Sequence, residues 1–213
     1  MVSRRIIFWD VDTQVDFMLP GGKLYVPEAE KLIPNLDRLT DQARKDRVFL
    51  VSDACVHAPE DPEFQRFPPH CVRGSVGAEM IPETVAERFL ILPNRRDAAV
   101  PPLAPYQQVI LEKQTLDVFD NPLTETVIER LKQFTDADAE FIVFGVVTEY
   151  CVRCVAKGLL ERGRRVALVE DGIKTLKAED GMGALAEMKS LGARMISTRD
   201  AIGLIDASKA KQA

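Results

Sequence analysis

The sequence has 213 residues, 46% of them hydrophobic, and its 28 Lys and Arg stand against 33 Asp and Glu, a formal charge of -5 at pH 7. That acidic balance excludes a general nucleic-acid binder and favours a small neutral or polar substrate. No run of about 18 apolar residues occurs, and MVSRRIIFWDVD reaches acidic residues too early for a secretory leader, so no membrane partner is expected and the protein is expected to be cytoplasmic. The length suits a single domain over residues 1–213 with one sizeable core. The four cysteines read as reduced thiols, not as a disulfide framework.

In chain order, Arg5 to Val11 is a short apolar β run that stops at the polar Asp12-Thr13-Gln14, which puts a carboxylate at the carboxyl edge of a sheet. Asp16-Phe17 follows in a loop, and Pro20-Gly21-Gly22 marks a turn. From Glu28 to Lys45 apolar residues recur at helical spacing (Leu32, Leu36, Leu39, Ala43), and Val48 to Val51 is a second strand ending at Ser52-Asp53. Asp53 to Met80 is Pro-rich, aperiodic and holds both histidines; a long segment of that kind in a compact domain is more often functional than idle. The spacing then predicts a helix around Pro82 to Arg88, a short run Leu90 to Pro93, and a strand Gln108 to Leu111 ending at Glu112-Lys113. A helix from Pro122 to Phe134 comes next. The apolar run from Phe141 breaks at Gly145 and restarts as a helix carrying Cys151, with Thr148 as its N-cap. A strand Arg165 to Val169, a helix Ala178 to Leu191, a strand Arg194 to Ile196 and a loose tail Ser208 to Ala213 complete the chain. The fold class expected is α/β: an open, mostly parallel six-stranded sheet with helices on both faces, Rossmann-like and three-layered, with ligands at the carboxyl ends of the strands.

Asp12, Lys113 and Cys151 each follow a β run, so a parallel sheet would bring all three to one edge. Singly, each has a plain explanation: a turn cap, a solvated lysine, a small buried thiol. Together they supply a base, a cation and a nucleophile for attack on a carbonyl, and a thiol in a first helical turn sits at the positive end of the helix dipole. Asp10, two residues before Asp12, is expected to be buried and hydrogen-bonded or paired with a basic residue. Asp53, His57 and His70 offer a carboxylate and two imidazoles, a donor set that suits a divalent Zn, Fe or Mn ion. Cys151-Val-Arg-Cys154 leaves open a C-x-x-C thiol oxidoreductase, which would give Asp12, Lys113 and the histidines no purpose. Gly181-Met-Gly183 lacks the third glycine and the leading strand of a dinucleotide loop.

Three segments together resemble the isochorismatase-like cysteine hydrolases, and among them the nicotinamidases, over nearly the whole chain. DVDTQVDF is similar to the family's DxQxDF segment, LEKQTLDVF to its lysine segment, and GVVTEYCV to its G-x-x-T-[DE]-x-C segment. The resemblance implies a metal-containing amidase that hydrolyses nicotinamide to nicotinate and ammonia through a thioester on Cys151, with Asp12 and Lys113 catalytic. It implies a cis peptide at Val146-Val147 and an oxyanion hole from the N–H groups of Val147 and Cys151. It also implies a small-molecule carboxamide partner, Phe17 and Phe67 flanking a planar ring, and a homo-oligomer. Another small amide or carbamoyl compound is the alternative substrate. The metal loop resembles D-x-H followed by [WF]-P-P-H-C, with one departure: three residues separate Asp53 from His57 where the family pattern has one. The favoured repair is a two-residue bulge before His57 that keeps it as ligand; the second is Cys55 in that role. Glu63 falls where some relatives carry a further ligand.

Overall fold

A computed structural model describes residues 4–210 of the chain, and the side chains of residues 6–135 and 139–207. Seven strands form one sheet: β1 Arg4–Val11, β2 Phe49–Cys55, β3 Phe89–Leu92, β4 Gln108–Lys113, β5 Thr135–Val146, β6 Arg165–Lys174 and β7 Arg194–Ile196. Every pairing is parallel, in the order β3-β4-β2-β1-β5-β6-β7. The helices are α1 Val15–Met18, α2 Ile33–Arg44, α3 Thr124–Leu131, α4 Arg153–Glu161, α5 Ala178–Ser190 and α6 Thr198–Ala210.

A parallel sheet is covered on both faces, so β2 and β4 are buried along their whole length. In β1, Ile7, Trp9 and Val11 pack in the layer that holds Val127, Ile128 and Leu131 of α3 and Val155 and Leu159 of α4. Ile6 and Phe8 face the other way, into the layer of Leu36, Leu39 and Ala43 of α2 and Ala201 and Ile205 of α6. The chain builds outwards from β1 through β2 to β4 on one side, then returns to lay β5 against its other side. That reversal makes the carboxyl ends of β1 and β5 the natural ligand crevice.

The strand left out of the expected six is β3, which falls on the short run read at Leu90 to Pro93: a four-residue edge strand paired only with β4. The helix expected over Pro82–Arg88 is a single 3₁₀ turn, Pro82–Thr84. Its carbonyls are taken instead by a guanidinium: Arg44 donates to the oxygens of Pro82, Glu83 and Val85. The tail expected from Ser208 begins inside α6, which runs to Ala210; the remaining three positions lie outside the described residues. No described helix is long and apolar enough to cross a membrane.

Two positions carry particular demands. Gly145, at φ 114°, lies where a Cβ would sit 2.2 Å from the Val11 carbonyl oxygen, so β1 and β5 approach as closely as they do only because no side chain is present there. The Val146-Val147 peptide that follows is cis. Asp10, wholly buried, accepts hydrogen bonds on Oδ2 from Thr13 Oγ1 at 2.8 Å and Ser52 Oγ at 3.4 Å, while Oδ1 has no partner. Burial outweighs those bonds and pushes its carboxyl up to about 8.

Gly145→Ala should therefore lose more than about 3 kcal/mol or fail to fold, read by urea unfolding and soluble yield. Asp10 is protonated in the folded chain at pH values where the unfolded chain, at 3.8, has lost that proton. The sign follows: its contribution is complete below about pH 4 and is lost as pH rises to about 8, at up to about 1.4 kcal/mol per pH unit. Asp10→Asn should flatten that fall in urea midpoint between pH 4 and 8; an unchanged slope would place the titration elsewhere.

Candidate active site

Asp12, Lys113 and Cys151 meet at the carboxyl edge. Asp12 leaves β1 in the left-handed region at φ 50°, and its backbone N–H donates to the Asp53 carbonyl at 3.1 Å. Aspartate is among the few residues that enter that region readily. Lys113 ends β4, directly paired with Cys55 at the end of β2. Cys151 lies in a π-helical turn, Thr148–Val152, that leads into α4; the residue capping it is Val147, not the expected Thr148, which is the first residue of the turn.

The Lys113 side chain has no exposed surface. Its Nζ lies 2.8 Å from Asp12 Oδ2, 3.1 Å from Cys55 Sγ, 3.4 Å from Cys151 Sγ and 3.7 Å from Asp53 Oδ1. Burial works against its charge, but Asp12 and the two sulfurs hold it well above the usual lysine value, so it is an ammonium. Two carboxylates and two thiols against one cation cannot all be ionised. Burial first, then the Cys55 thiol, pushes Asp12 up to about 7, opposed by Lys113. Asp53 rises well above its normal range through burial and then the Asp12 charge. The thiols divide: the hydrogen bond with Cys151, with Lys113 and both imidazoles behind it, draws Cys55 well below an ordinary thiol, while that same bond and burial push Cys151 well above. Burial pushes up Cys71 and Cys154. Cys154 lines a separate hollow with Asp117 and Arg162, whereas Cys151 lines the Asp12 cavity, so the two sulfurs of the C-x-x-C open into different spaces.

The histidine loop closes over the same cavity. The His57 and His70 ring centroids lie 4.8 Å apart with the rings tilted 60° to one another, Phe17 packs against His70 at 5.4 Å, and Phe67 stands edge-on to His70 and Tyr150. Phe17, Phe67 and Glu63 all line the cavity, with Val146, Val147, Leu116 and Tyr150. Burial raises the Glu63 carboxyl.

Asp53 is not among the groups gathered with the imidazoles. Its Oδ2 accepts from Trp9 Nε1 at 2.8 Å and its Oδ1 faces Lys113. The bulge expected before His57 is absent, because β2 keeps continuous register with β4 up to Cys55 and Lys113. Side chains two apart on a strand point the same way. Cys55, one period beyond Asp53, therefore reaches the histidines, and its sulfur, His57 and His70 present donor atoms that all lie within 4.8 Å of one another. His57 is then held by a bridge to Val72, its N–H bonded to the Cys71 carbonyl.

Sequence reading passed over the residues that brace these groups. Gln14 accepts from the Cys55 N–H at 2.8 Å and donates to the Cys55 carbonyl at 2.7 Å, gripping the end of β2 from both sides. Asp16 accepts from the Cys71 N–H at 2.7 Å, tying the residue after His70 to the DxQxDF segment, and Gly77 lies so close that a Cβ would meet that carboxylate at 2.1 Å. Glu149, two residues before Cys151, accepts from the N–H groups of Leu176 and Lys177. The only signal for them was their place inside the three motifs.

A family model described as the isochorismatase domain matches residues 84–200, more than half of the chain. The nicotinamidase of Escherichia coli (strain K12) is 29% identical over 212 residues, covering 89% of this chain and 93% of its own. The nicotinamidase/pyrazinamidase of Mycobacterium tuberculosis is 26% identical over 87% of this chain and 95% of its own. The crystal structure of the pyrazinamidase of Pyrococcus horikoshii in complex with zinc superposes with a TM-score of 0.72 at 27% identity, over 91% of this chain and 99% of that one. The all-parallel sheet, the matched domain and these relatives give one conclusion: the chain belongs to the isochorismatase family, close to the nicotinamidases, and is a hydrolase acting on amide carbon–nitrogen bonds.

Proposed function

We propose that the protein is a nicotinamidase-like cysteine amidase that converts nicotinamide to nicotinate and ammonia. The observation that carries this reading is the buried Lys113 ammonium, in contact with both Asp12 and the Cys151 sulfur, which themselves line a cavity with the rings of Phe17, Phe67 and Tyr150. A thiol pushed well above its ordinary value needs a base beside it, and a carboxyl near 7 both takes and returns a proton at neutral pH.

In the proposed sequence Asp12 takes the Cys151 proton as sulfur attacks the carboxamide carbon, with Lys113 stabilising the anions formed. The oxyanion accepts from the N–H groups of Val147 and Cys151. Asp12 then gives its proton to the leaving nitrogen, the carbon–nitrogen bond breaks, and ammonia departs from a thioester on Cys151. Water follows: Asp12 removes one proton, the hydroxide adds to the thioester carbon, the carbon–sulfur bond breaks, and the acid leaves while the proton returns to Cys151. Phe17 and Phe67 flank the ring. A divalent ion at His57 and His70 would supply a grip on the ring nitrogen and so orient the carboxamide. The cavity's apolar lining favours a planar ring over an aliphatic carbamoyl substrate.

Cys151→Ala should abolish ammonia release from nicotinamide with the fold intact by circular dichroism, and Asp12→Asn should lower kcat by a factor of about 100 or more. Undiminished turnover in Cys151→Ala would overturn the mechanism. Removing metal with a chelator should raise KM and lower turnover together, and adding Zn should restore both; an unaffected enzyme would mean that the ring is held without an ion.

A further inference from the structure

The residues around His57 say what kind of ion this chain would hold. His57 is wholly buried and neither of its ring nitrogens has a hydrogen-bond partner, although Nδ1 lies 3.1 Å from the Asp61 carboxylate and Nε2 faces away from it. A buried imidazole nitrogen left unpaired is costly unless something occupies it. His70 Nδ1 lies 2.8 Å from the Pro68 carbonyl, which leaves its Nε2 as the nitrogen to present to an ion. A carboxylate or carbonyl behind one ring nitrogen, with the other nitrogen presented, is the usual support of a metal-binding histidine. The third group facing them is the Cys55 sulfur, which leans on both rings and on Lys113.

We infer that the metal of this enzyme is bound through sulfur, by Cys55 Sγ, His57 Nε2 and His70 Nε2, with Asp53 outside the ligand set, and that the site therefore selects zinc over iron and manganese. The inference rests on the metal site proposed above and specifies its chemistry. Around a tetrahedral zinc, sulfur at about 2.3 Å and nitrogen at about 2.0 Å stand roughly 3.5 Å apart, so donors within 4.8 Å need close by only about an ångström. Three protein donors leave one position open, as in catalytic zinc sites, and a thiolate disfavours Mn and isolated Fe(II), which prefer carboxylate and water. Asp53 lies outside that cluster: its Oδ2 accepts from Trp9 Nε1, and its Oδ1, without a hydrogen-bond partner, lies 3.7 Å from Lys113 Nζ. Lys113 then touches a metal ligand, the base and the nucleophile at once, so the binding and reacting halves of the site share one ammonium.

The test uses the full chain, stripped with a chelator and reloaded with one equivalent of Co(II), whose thiolate complexes absorb in the near ultraviolet. The wild-type protein should show that sulfur-to-cobalt band; Cys55→Ser should lose it and bind Co(II) at least tenfold more weakly, while Asp53→Asn and Cys151→Ala should keep it. Offered equal Zn, Fe(II) and Mn, the stripped protein should retain Zn, and its preference for Zn over Fe(II) should fall at least tenfold in Cys55→Ser, read by elemental analysis; an unchanged preference overturns the sulfur-based selection. A wild-type cobalt protein without the band, a band lost in Cys151→Ala, or a band lost in Asp53→Asn and kept in Cys55→Ser, overturns the inference, and because Cys151 lines the same cavity the wild-type and Cys151→Ala spectra together decide even if Cys55→Ser fails to fold. Nicotinamide turnover is measured separately: the band without turnover refutes the proposed substrate and upholds the ligand set, and turnover without the band does the reverse.

Discussion

Lys113 carries a positive charge to the end of a central strand where no solvent reaches it, and an uncompensated ammonium there would cost several kcal/mol. The compensation comes from three other parts of the chain, Asp12 after β1, Cys55 ending β2 and Cys151 after β5. Because one cation faces more potential anions than it can neutralise, protons are shared among them. That surplus keeps a carboxyl near neutrality beside a thiol that needs a base. The same crowding makes the site sensitive to the position of every strand that enters it.

The remaining motif residues hold those strands. Gln14 clips the β1 loop to the end of β2, Asp16 clips it to the histidine loop, and Glu149 ties the turn before Cys151 to the segment after β6. Each bond crosses between segments far apart in the chain. Gly145 adds the close approach of β1 and β5, which puts the Asp12 and Cys151 turns side by side. The short motifs are thus half chemistry and half bracing.

Cysteine at position 55 leaves the architecture undisturbed. A D-x-H pattern written with cysteine at its third place leaves β2 straight, lets Asp53 turn to Trp9 and Lys113, and moves the contact with the histidines onto sulfur. The neighbouring strands keep their register throughout.

The parallel sheet, the two-sided core and the convergence of Asp12, Lys113 and Cys151 were legible in the sequence, because apolar runs that stop at polar residues mark strand ends and a parallel sheet gathers such ends on one edge. The pairing of β3, the single turn after Pro82 and the choice of Cys55 over Asp53 beside the histidines were not. Each depends on a contact between distant segments: an edge strand borrowing its ladder from β4, Arg44 taking carbonyls a helix would have used, and β2 holding register until Cys55, not Asp53, met the imidazoles. Local periodicity reports which way a side chain points along its own strand; which group stands opposite is decided only when the chain has closed on itself.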